Sequence, residues 1–416
     1  MSIDIILLGA SGYTGQYVVD FLVENLKSRP QMKWAAAGRS ESKIRRVLDR
    51  VGIQDVPILT CDTSDSESLK AVVSQGRLVI NCVGPYRFHG EEVVNACIES
   101  GVHHVDISGE PEYLEKMQLR YNQLAKDKGV YVVGSCGFDS IPADLGQIFL
   151  SNQMQGDVNE VETYLEVKVP DEQGPVINFA TWQSAIYGFA FAGALKPIRK
   201  ALYPSRLPSL NPRLRNRGNL HNSEIVGGWC LPFPGSDRSV MMRTQRFLHE
   251  NEQKRPAQIM SYMKCSSLWV AIKIMIVGIL FGLMATKKFG RSLLENYPRF
   301  FSWGAVSKSG PSKKMADGTD FKVTLIGKGW KDKVDDRSDD SKPDRVVKVS
   351  VSGKNIGYGS TCELVVQSAL SILEESNKMP DKGGVFTPGY AFANTSIVER
   401  LTKKGIPFVV ESIKDC

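Results

Sequence analysis

The chain has 416 residues, 42% of them hydrophobic and 23% charged, which fits a folded globular protein and predicts two domains, one core being too few for this length. Its 52 basic against 45 acidic residues leave a formal charge of +7, too modest an excess to expect nucleic acid as a partner. Eight cysteines with no C-x-x-C pair, beside five histidines, argue against a disulfide framework and a zinc site and for reduced thiols.

The opening MSIDIILLGASGYTG has neither the basic start nor the small-residue cleavage site of a secretory or transit segment. Ile3 to Leu8 reads as a short buried strand, followed by the loop Gly9 to Gly15 (G-A-S-G-Y-T-G) and by QYVVDFLVENL with helical spacing. Strand, glycine loop and helix in that order predict a dinucleotide site. Gly9 permits the tight turn, Gly12 lets the backbone approach a pyrophosphate, and Gly15 lets helix and strand pack closely, with Ser11, Tyr13 and Thr14 completing the loop. The alternative is a turn that binds nothing, since G-x-x-G-x-x-G is looser than the strict fingerprint.

WAAAGRSESKI reads as a second strand ending at Gly38 and Arg39. An NAD enzyme places a carboxylate there for the ribose 2′-hydroxyl; a cation at that place suits the 2′-phosphate of NADP. Arg39, with Ser40 and Lys43, is expected to favour NADP over NAD, unless Arg39 and Lys43 merely open a solvated helix. VPILTCDTSD, RLVINCVGPY, VHHVDISGE and GVYVVGSCGFDS continue the alternation of strands and helices. Six such strands predict a doubly wound parallel sheet. Ligands bind beyond the carboxyl ends of its strands, so Asp62, the Cys82-Val83-Gly84-Pro85 turn, Ser108 to Glu110 and Gly137 to Asp139 should point to one crevice, with Asp62 toward the adenine and Gly84 near the nicotinamide.

A hydride transfer often needs a proton donor within hydrogen-bond reach. Tyr86, His89, Glu110, Asp139 and Ser140 are the polar candidates, and Tyr86, His89 and Asp139 are taken forward as catalytic. His89 has the unperturbed pKa best placed for neutral pH; it also reads as an ordinary solvated loop residue, and Asp139 and Asp144 also read as helix caps. Trp182, Tyr187 and Phe189 in TWQSAIYGFAF line a pocket or form a core patch.

Gly193 to Gly218 carries seven basic residues, no acidic ones and four prolines. It reads as a polybasic loop for an anionic lipid surface or as an ordinary solvated loop. LWVAIKIMIVGILFGLMA (Leu268 to Ala285), within an apolar segment placed at 265–290, follows. As a helix it covers roughly 27 Å, just short of a bilayer core. Its apolar side chains contribute about −3 to −6 kcal/mol of insertion against up to about +3 kcal/mol for Lys273, so a span is marginal. Lys264, Lys287, Lys288 and Arg291 flank it, and Tyr297, Phe300, Phe301 and Trp303 form an interfacial type of cluster. Strands and helices follow that must fold on the same side, which favours a monotopic anchor over a span. A buried or dimer-interface helix is the other reading. Lys331 to Asp344 (KDKVDDRSDDSKPD) reads as a polar hairpin loop or short disordered excursion.

GASGYTGQYV, AGRS, NCVGPYRFHGE, DISGEPEYLEKMQL, GFDSIPADLG, TWQSAIYGF and GGVFTPG together resemble the saccharopine dehydrogenase-like oxidoreductases of animals over nearly the whole chain. The resemblance implies a Rossmann domain with an inserted α+β domain that carries substrate and dimer contacts, a nicotinamide cofactor, and residence at lipid droplets or at the cytoplasmic face of membranes, with the mitochondrion and plasma membrane as further settings. It also implies a place in lipid or glycolipid metabolism, on an apolar or lipidic small molecule. It does not imply saccharopine as substrate, because the G-x-D-P-G-type stretch and following histidine of the saccharopine-forming reductases are replaced by Gly137-Phe138-Asp139-Ser140-Ile141-Pro142. The rival is a non-catalytic scaffold or nucleotide sensor on lipid droplets. The expected domains are 1–150 for the dinucleotide fold, 151–380 for the α+β domain, and 381–416 for a closing segment packed back on the first.

Overall fold

The computed structural model describes residues 3–170, 174–333 and 342–416, so that residues 334–341 of the expected polar loop lie outside the described residues. In chain order the first elements are β1 (Ile3–Leu8), α1 (Tyr13–Leu26), β2 (Trp34–Gly38), α2 (Glu41–Arg50), β3 (Ile58–Thr60), α3 (Ser66–Val73), β4 (Gly76–Asn81), α4 (Tyr86–Glu99), β5 (His103–Asp106), α5 (Pro111–Lys128), β6 (Tyr131–Val133) and α6 (Ile141–Met154). Next come β7 (Val158–Lys168), β8 (Ile177–Asn178), α7 (Phe179–Ala190), α8 (Leu195–Leu202), β9 (His221–Ser223), β10 (Gly228–Pro232), α9 (Asp237–Glu252), β11 (Gln258–Lys264) and α10 (Leu268–Ala285). The chain continues through α11 (Lys288–Asn296), α12 (Pro298–Phe301), β12 (Val306–Ser307), α13 (Lys313–Asp317), β13 (Asp320–Gly329) and β14 (Arg345–Lys354). It closes with α14 (Thr361–Glu375), β15 (Gly384–Phe386), α15 (Pro388–Ala391), α16 (Ile397–Lys403) and β16 (Phe408–Asp415).

Two compact units result, Met1–Ile141 with Gly357–Lys404, and Pro142–Ile356 with Gly405–Cys416. The first is built on a parallel sheet of order β15-β6-β5-β4-β1-β2-β3. Its central strands are near-continuous apolar runs, as a sheet covered on both faces requires. Leu8 pairs with Ala37 on one side and with Asn81 on the other, so the loops after β1, β2 and β4 leave the sheet at one level. Strand order reverses between β1 and β4, the switch point at which such sheets take ligands.

The second unit holds a seven-stranded mixed sheet of order β16-β14-β13-β7-β11-β10-β9, in which only the β7–β11 pair is parallel. Helix α6 lies close on it; a Cβ at Gly327 would stand 2.3 Å from Leu150 Cδ2, so glycine there sets the approach.

The division differs from the expected ranges in three places. Residues 142–150 fall in the second unit with the rest of α6. Helix α14 belongs to the first unit, where it is buried on nearly every face and packs on α1; strand β15 lies on the first unit as expected of the closing segment, Gly384 pairing with Tyr131 to add a seventh strand. Strand β16 does not return to the first unit. It pairs antiparallel with β14, and its Glu411 takes Lys348 of β14 and Lys322 of β13 at 2.9 and 2.5 Å. That charge match, on an edge strand whose own pattern is short and half polar, is what assigns it.

Candidate functional site

Gly9 has φ of +86°, and a Cβ there would crowd Val83 Cγ2 at 3.0 Å and the Cys82 carbonyl carbon at 3.1 Å. A Cβ at Gly15 would fall 2.1 Å from the Gly9 carbonyl oxygen, an overlap with rigid backbone. The first and last glycines of the loop are thus sterically required. Gly12, exposed, is the N-cap of α1 and no side chain caps the helix. The positive helix end is therefore left to an anion seated in the loop, which fits the pyrophosphate of a dinucleotide. Tyr13 packs edge-on to Tyr358 at 4.6 Å, and Tyr17 stacks on the same ring at 5.0 Å. Burial and the Tyr17 neighbour push the Tyr13 phenol up to about 12. Tyr358, on a π-turn over Ile356–Ser360, is a loop-fixing residue that the sequence reading missed.

Arg39 emerges exposed from the end of β2 and makes no hydrogen bond or ion pair among the described residues. Ser40 is the N-cap of α2, its hydroxyl 3.3 Å from that of Ser42, and Lys43 is exposed in the first turn. Asp62 lies within electrostatic reach of both Arg39 and His89. Its carboxylate accepts from the Ser64 N–H at 3.0 Å and hydroxyl at 2.8 Å, and these bonds, then Arg39 and His89, hold it below the usual carboxylate range. The turn after β3 is thus built by Asp62 itself. His89 stands with Asp62 and Arg39, which puts it with the residues expected at the adenosine end.

The other catalytic candidates separate too. Tyr86 was expected as a proton donor, but its ring is buried and its hydroxyl donates to the Asn81 carbonyl at 2.9 Å and accepts from the Ile107 N–H at 3.4 Å. Burial raises this phenol well above its ordinary value. Tyr86 is a structural clamp between the ends of β4 and β5. Glu110, buried, accepts from the Tyr86 and Arg87 N–H groups at 3.0 and 3.2 Å and so caps α4 from another loop. Asp139 is half-exposed in the loop between β6 and α6, and a Cβ on Gly109 would meet its Oδ2 at 2.5 Å, so the β5 loop needs glycine for the carboxylate to lie there. Cys82 remains a thiol, pushed up to about 12 by burial and by Asp106.

Beneath these loops sits a buried network that no motif announced. Asp106 accepts from the Ser108 N–H at 2.9 Å, the Ser135 N–H at 3.0 Å and the Tyr113 hydroxyl at 3.0 Å. Burial raises its carboxyl to about 6 against the lowering effect of those donors. The network locks the β5 and β6 loops together; the only signal for it was the Asp at the end of a buried strand. The chain's single Y-x-x-x-K spacing, Tyr164 to Lys168, lies on strand β7, where it spans roughly 13 Å and forms no catalytic pair.

A different surface is built in the second unit. Helix α10 packs through Phe281 and Ala285 on Ile186 of α7 and Leu294 of α11. Trp182 meets Phe281 edge-on at 4.7 Å and donates its indole N–H to the Leu294 carbonyl at 3.0 Å, so Trp182 and Phe189, which also packs on Phe281 at 5.4 Å, brace the helix. At about 100° per residue, Trp269, Ile276, Ile279, Leu280 and Leu283 fall on one outward stripe, with Trp269 at 73% and Leu283 at 66% exposure. Phe289, Tyr297, Phe300 and Trp303 extend it, each exposed by 60% or more. The helix is long and apolar enough to cross a membrane. Lys273 lies over the Trp303 ring at 5.8 Å. In the upstream basic stretch Arg217 is taken by Glu162 through a bidentate pair, and Lys196, Lys200, Arg206, Arg213 and Arg215 stay exposed.

Residues 5–133 match the family model described as the saccharopine dehydrogenase NADP binding domain. The human saccharopine dehydrogenase-like oxidoreductase is 40% identical over 98% of this chain and 97% of its own length. A Caenorhabditis elegans relative named "Lipid droplet localized protein" is 36% identical over 99% of each chain. An Arabidopsis thaliana relative, named "Probable mitochondrial saccharopine dehydrogenase-like oxidoreductase", is 36% identical over 99% of this chain and 97% of its own. Among solved structures, apo saccharopine dehydrogenase (L-Glu forming) from Saccharomyces cerevisiae covers all of both chains with a TM-score of 0.56 at 14% identity, a likeness of fold alone.

Proposed function

The chain belongs to the saccharopine dehydrogenase-like oxidoreductases, with an NADP-binding domain, and from that premise we propose that it is an NADP-dependent oxidoreductase working at the surface of lipid droplets and the cytoplasmic face of membranes on an apolar carbonyl, imine or enoyl substrate. The observation that carries this reading is the outward apolar stripe of α10, with Trp269 and Leu283 largely exposed on a chain whose other unit is an NADP-binding domain. A contiguous apolar face of that kind marks a lipid or protein contact, and its short length, its Lys273 and the sheet that continues after it fit a helix lying in the interface. The worm relative's name points the same way.

In this reading the α1 N-terminus and Gly12 hold the pyrophosphate, Gly9 and Gly15 keep the loop open, and Arg39 with Ser40 and Lys43 takes the 2′-phosphate. NADPH held there supplies a hydride for an electrophilic carbon. Asp62 and His89 belong to the adenosine end. Asp139 is the carboxyl group we retain for proton transfer, because it is half-exposed in the loop between β6 and α6, whereas the Tyr86 phenol is buried and bonded to Asn81 and Ile107. Titration of the purified protein with NADPH and NADH, followed by NADPH oxidation over medium- and long-chain aldehydes, ketones and enoyl esters presented in emulsions, tests the reading. Preferential NADPH binding with turnover on a lipidic carbonyl supports it. Tight NADPH binding with no turnover over the whole panel favours the nucleotide-sensing scaffold and sinks the enzyme.

A further inference from the structure

Between α12 and β12 lies an open groove of about 520 Å³ lined by Tyr297, Arg299, Phe300, Ser307 and Lys308. Arg299 and Lys308 are both exposed, and neither side chain makes a hydrogen bond or ion pair among the described residues. The Lys308 ammonium is 5.9 Å from the Phe179 ring centroid. Tyr297 and Phe300, on the same rim, are 60% and 75% exposed. Two cations and two outward aromatic rings around one shallow groove combine an anion's partners with an apolar collar.

The surrounding charge is one-sided. From Lys264 to Ala316 the chain has nine basic residues (Lys264, Lys273, Lys287, Lys288, Arg291, Arg299, Lys308, Lys313 and Lys314) and a single acidic one, Glu295. Glu295 is held by the Gln183 amide at 3.1 Å. Glu295 keeps its charge, so the stretch has nine cations against one carboxylate and stays strongly positive around the groove. Helices α10, α11 and α12 pack in succession, and α12 packs on β12, so the groove belongs to the same helical layer as the outward stripe of α10.

We propose that this groove seats the phosphate of an anionic phospholipid headgroup. The Arg299 guanidinium offers a planar fork to phosphate oxygens, and the Lys308 ammonium adds a point charge. Tyr297 is an amphipathic ring of the kind that favours the headgroup boundary, and exposed Phe300 beside it adds apolar area. A free phosphate ion would use the two cations and gain nothing from the exposed rings, whereas a lipid uses both. The proposal rests on the reading of α10 as lipid-facing and refines it from an apolar contact to a headgroup-selective one.

The test is flotation of the full chain with phosphatidylcholine vesicles, with the same vesicles doped with phosphatidic acid, and with a neutral triolein emulsion. The doped vesicles should recover more protein than the neutral ones. Arg299→Ala or Lys308→Ala should each lower the apparent partition onto doped vesicles about fivefold, and the double variant roughly thirtyfold, with recovery on the triolein emulsion unchanged. Circular dichroism melting verifies that the variants fold. The control removes two exposed cations elsewhere, Lys403→Ala and Lys404→Ala. Equal losses in control and test variants would overturn the site in favour of diffuse charge attraction. Glycerol 3-phosphate that displaces protein from doped vesicles at low millimolar concentration would overturn the lipid source and assign the groove to free phosphate esters. Wild type that floats on triolein without preference for doped vesicles overturns the headgroup site and leaves the lipid-surface function standing; no flotation on any of the three removes both.

Discussion

The nucleotide crevice and the outward face of α10 are specified in opposite ways. In the crevice, function depends on atoms that are missing: Gly9 and Gly15 leave room that a single methyl group would fill, and α1 is left without a cap. On α10, the proposed lipid contact depends on area, shared among Trp269, Ile276, Ile279, Leu280 and Leu283. One region is brittle to single substitutions, and the other spreads its contribution so that single substitutions cost little. Regions of the first kind leave a motif in the sequence, while those of the second leave only a composition.

The sharpest way to break the contrast is Gly15→Ala. Its Cβ overlaps the Gly9 carbonyl, so the loop must move at a cost of about 3 kcal/mol, roughly a hundredfold in NADPH affinity by calorimetry, while recovery on neutral emulsions stays the same.

Acid should come next. Burial holds His103 at about 4 and His104 at about 3, and raises Asp106 to about 6. Between pH 6 and pH 4 the unfolded chain therefore binds two histidine protons where the folded one binds a single aspartate proton. Stability falls as pH drops, by about 2.7 kcal/mol over the two pH units. Denaturant melts across that range measure it, and His104→Gln should flatten the slope, since the folded and unfolded chains then bind equal numbers of protons at these sites.

Arg39→Ala removes a charge-assisted contact and should weaken NADPH by about 2 kcal/mol, roughly thirtyfold, with NADH unchanged. An equal loss for both cofactors would mean that Arg39 holds the loop and does not read the 2′-phosphate. Leu283→Ser should lower emulsion binding by about 1.5 kcal/mol, near tenfold, since one partly exposed leucine is lost from a stripe of several. A complete loss would show that α10 acts through one anchor residue. The smallest effect expected is for Tyr86→Phe, about 1 kcal/mol of stability from the Asn81 carbonyl left without its donor, with turnover retained; a collapse of turnover in folded protein would restore Tyr86 as an acid.

The first six strands were legible because each is an apolar run closed by a turn signal, and the loop because three glycines sit between a strand and a helix. Tyr86 was misread for a physical reason: at the first residue of a helix the sequence does not say whether the phenol turns to the crevice or back to the Asn81 carbonyl. His89 lies after the fourth strand as expected, in the first turn of α4, and its charge acts on Asp62, the residue expected toward the adenine. Tyr358 was invisible, being 345 residues from the Tyr13 it supports. Helix α14 and strand β16 were each assigned to the wrong unit, because the chain returns to the first unit at α14 and β15 and then leaves it again for β16, an order that no local pattern encodes.

That interleaving has a consequence for synthesis. The first sheet lacks its edge strand until Phe386 has been translated, and the second lacks its own until Phe408 to Asp415 has followed. Neither unit can finish folding while the ribosome is still working on the middle of the chain, and contacts this distant in sequence form slowly. Throughout that wait the apolar stripe of α10 has already been synthesised, and a premature stop anywhere after Ala285 would release that exposed helix without the sheets that position it.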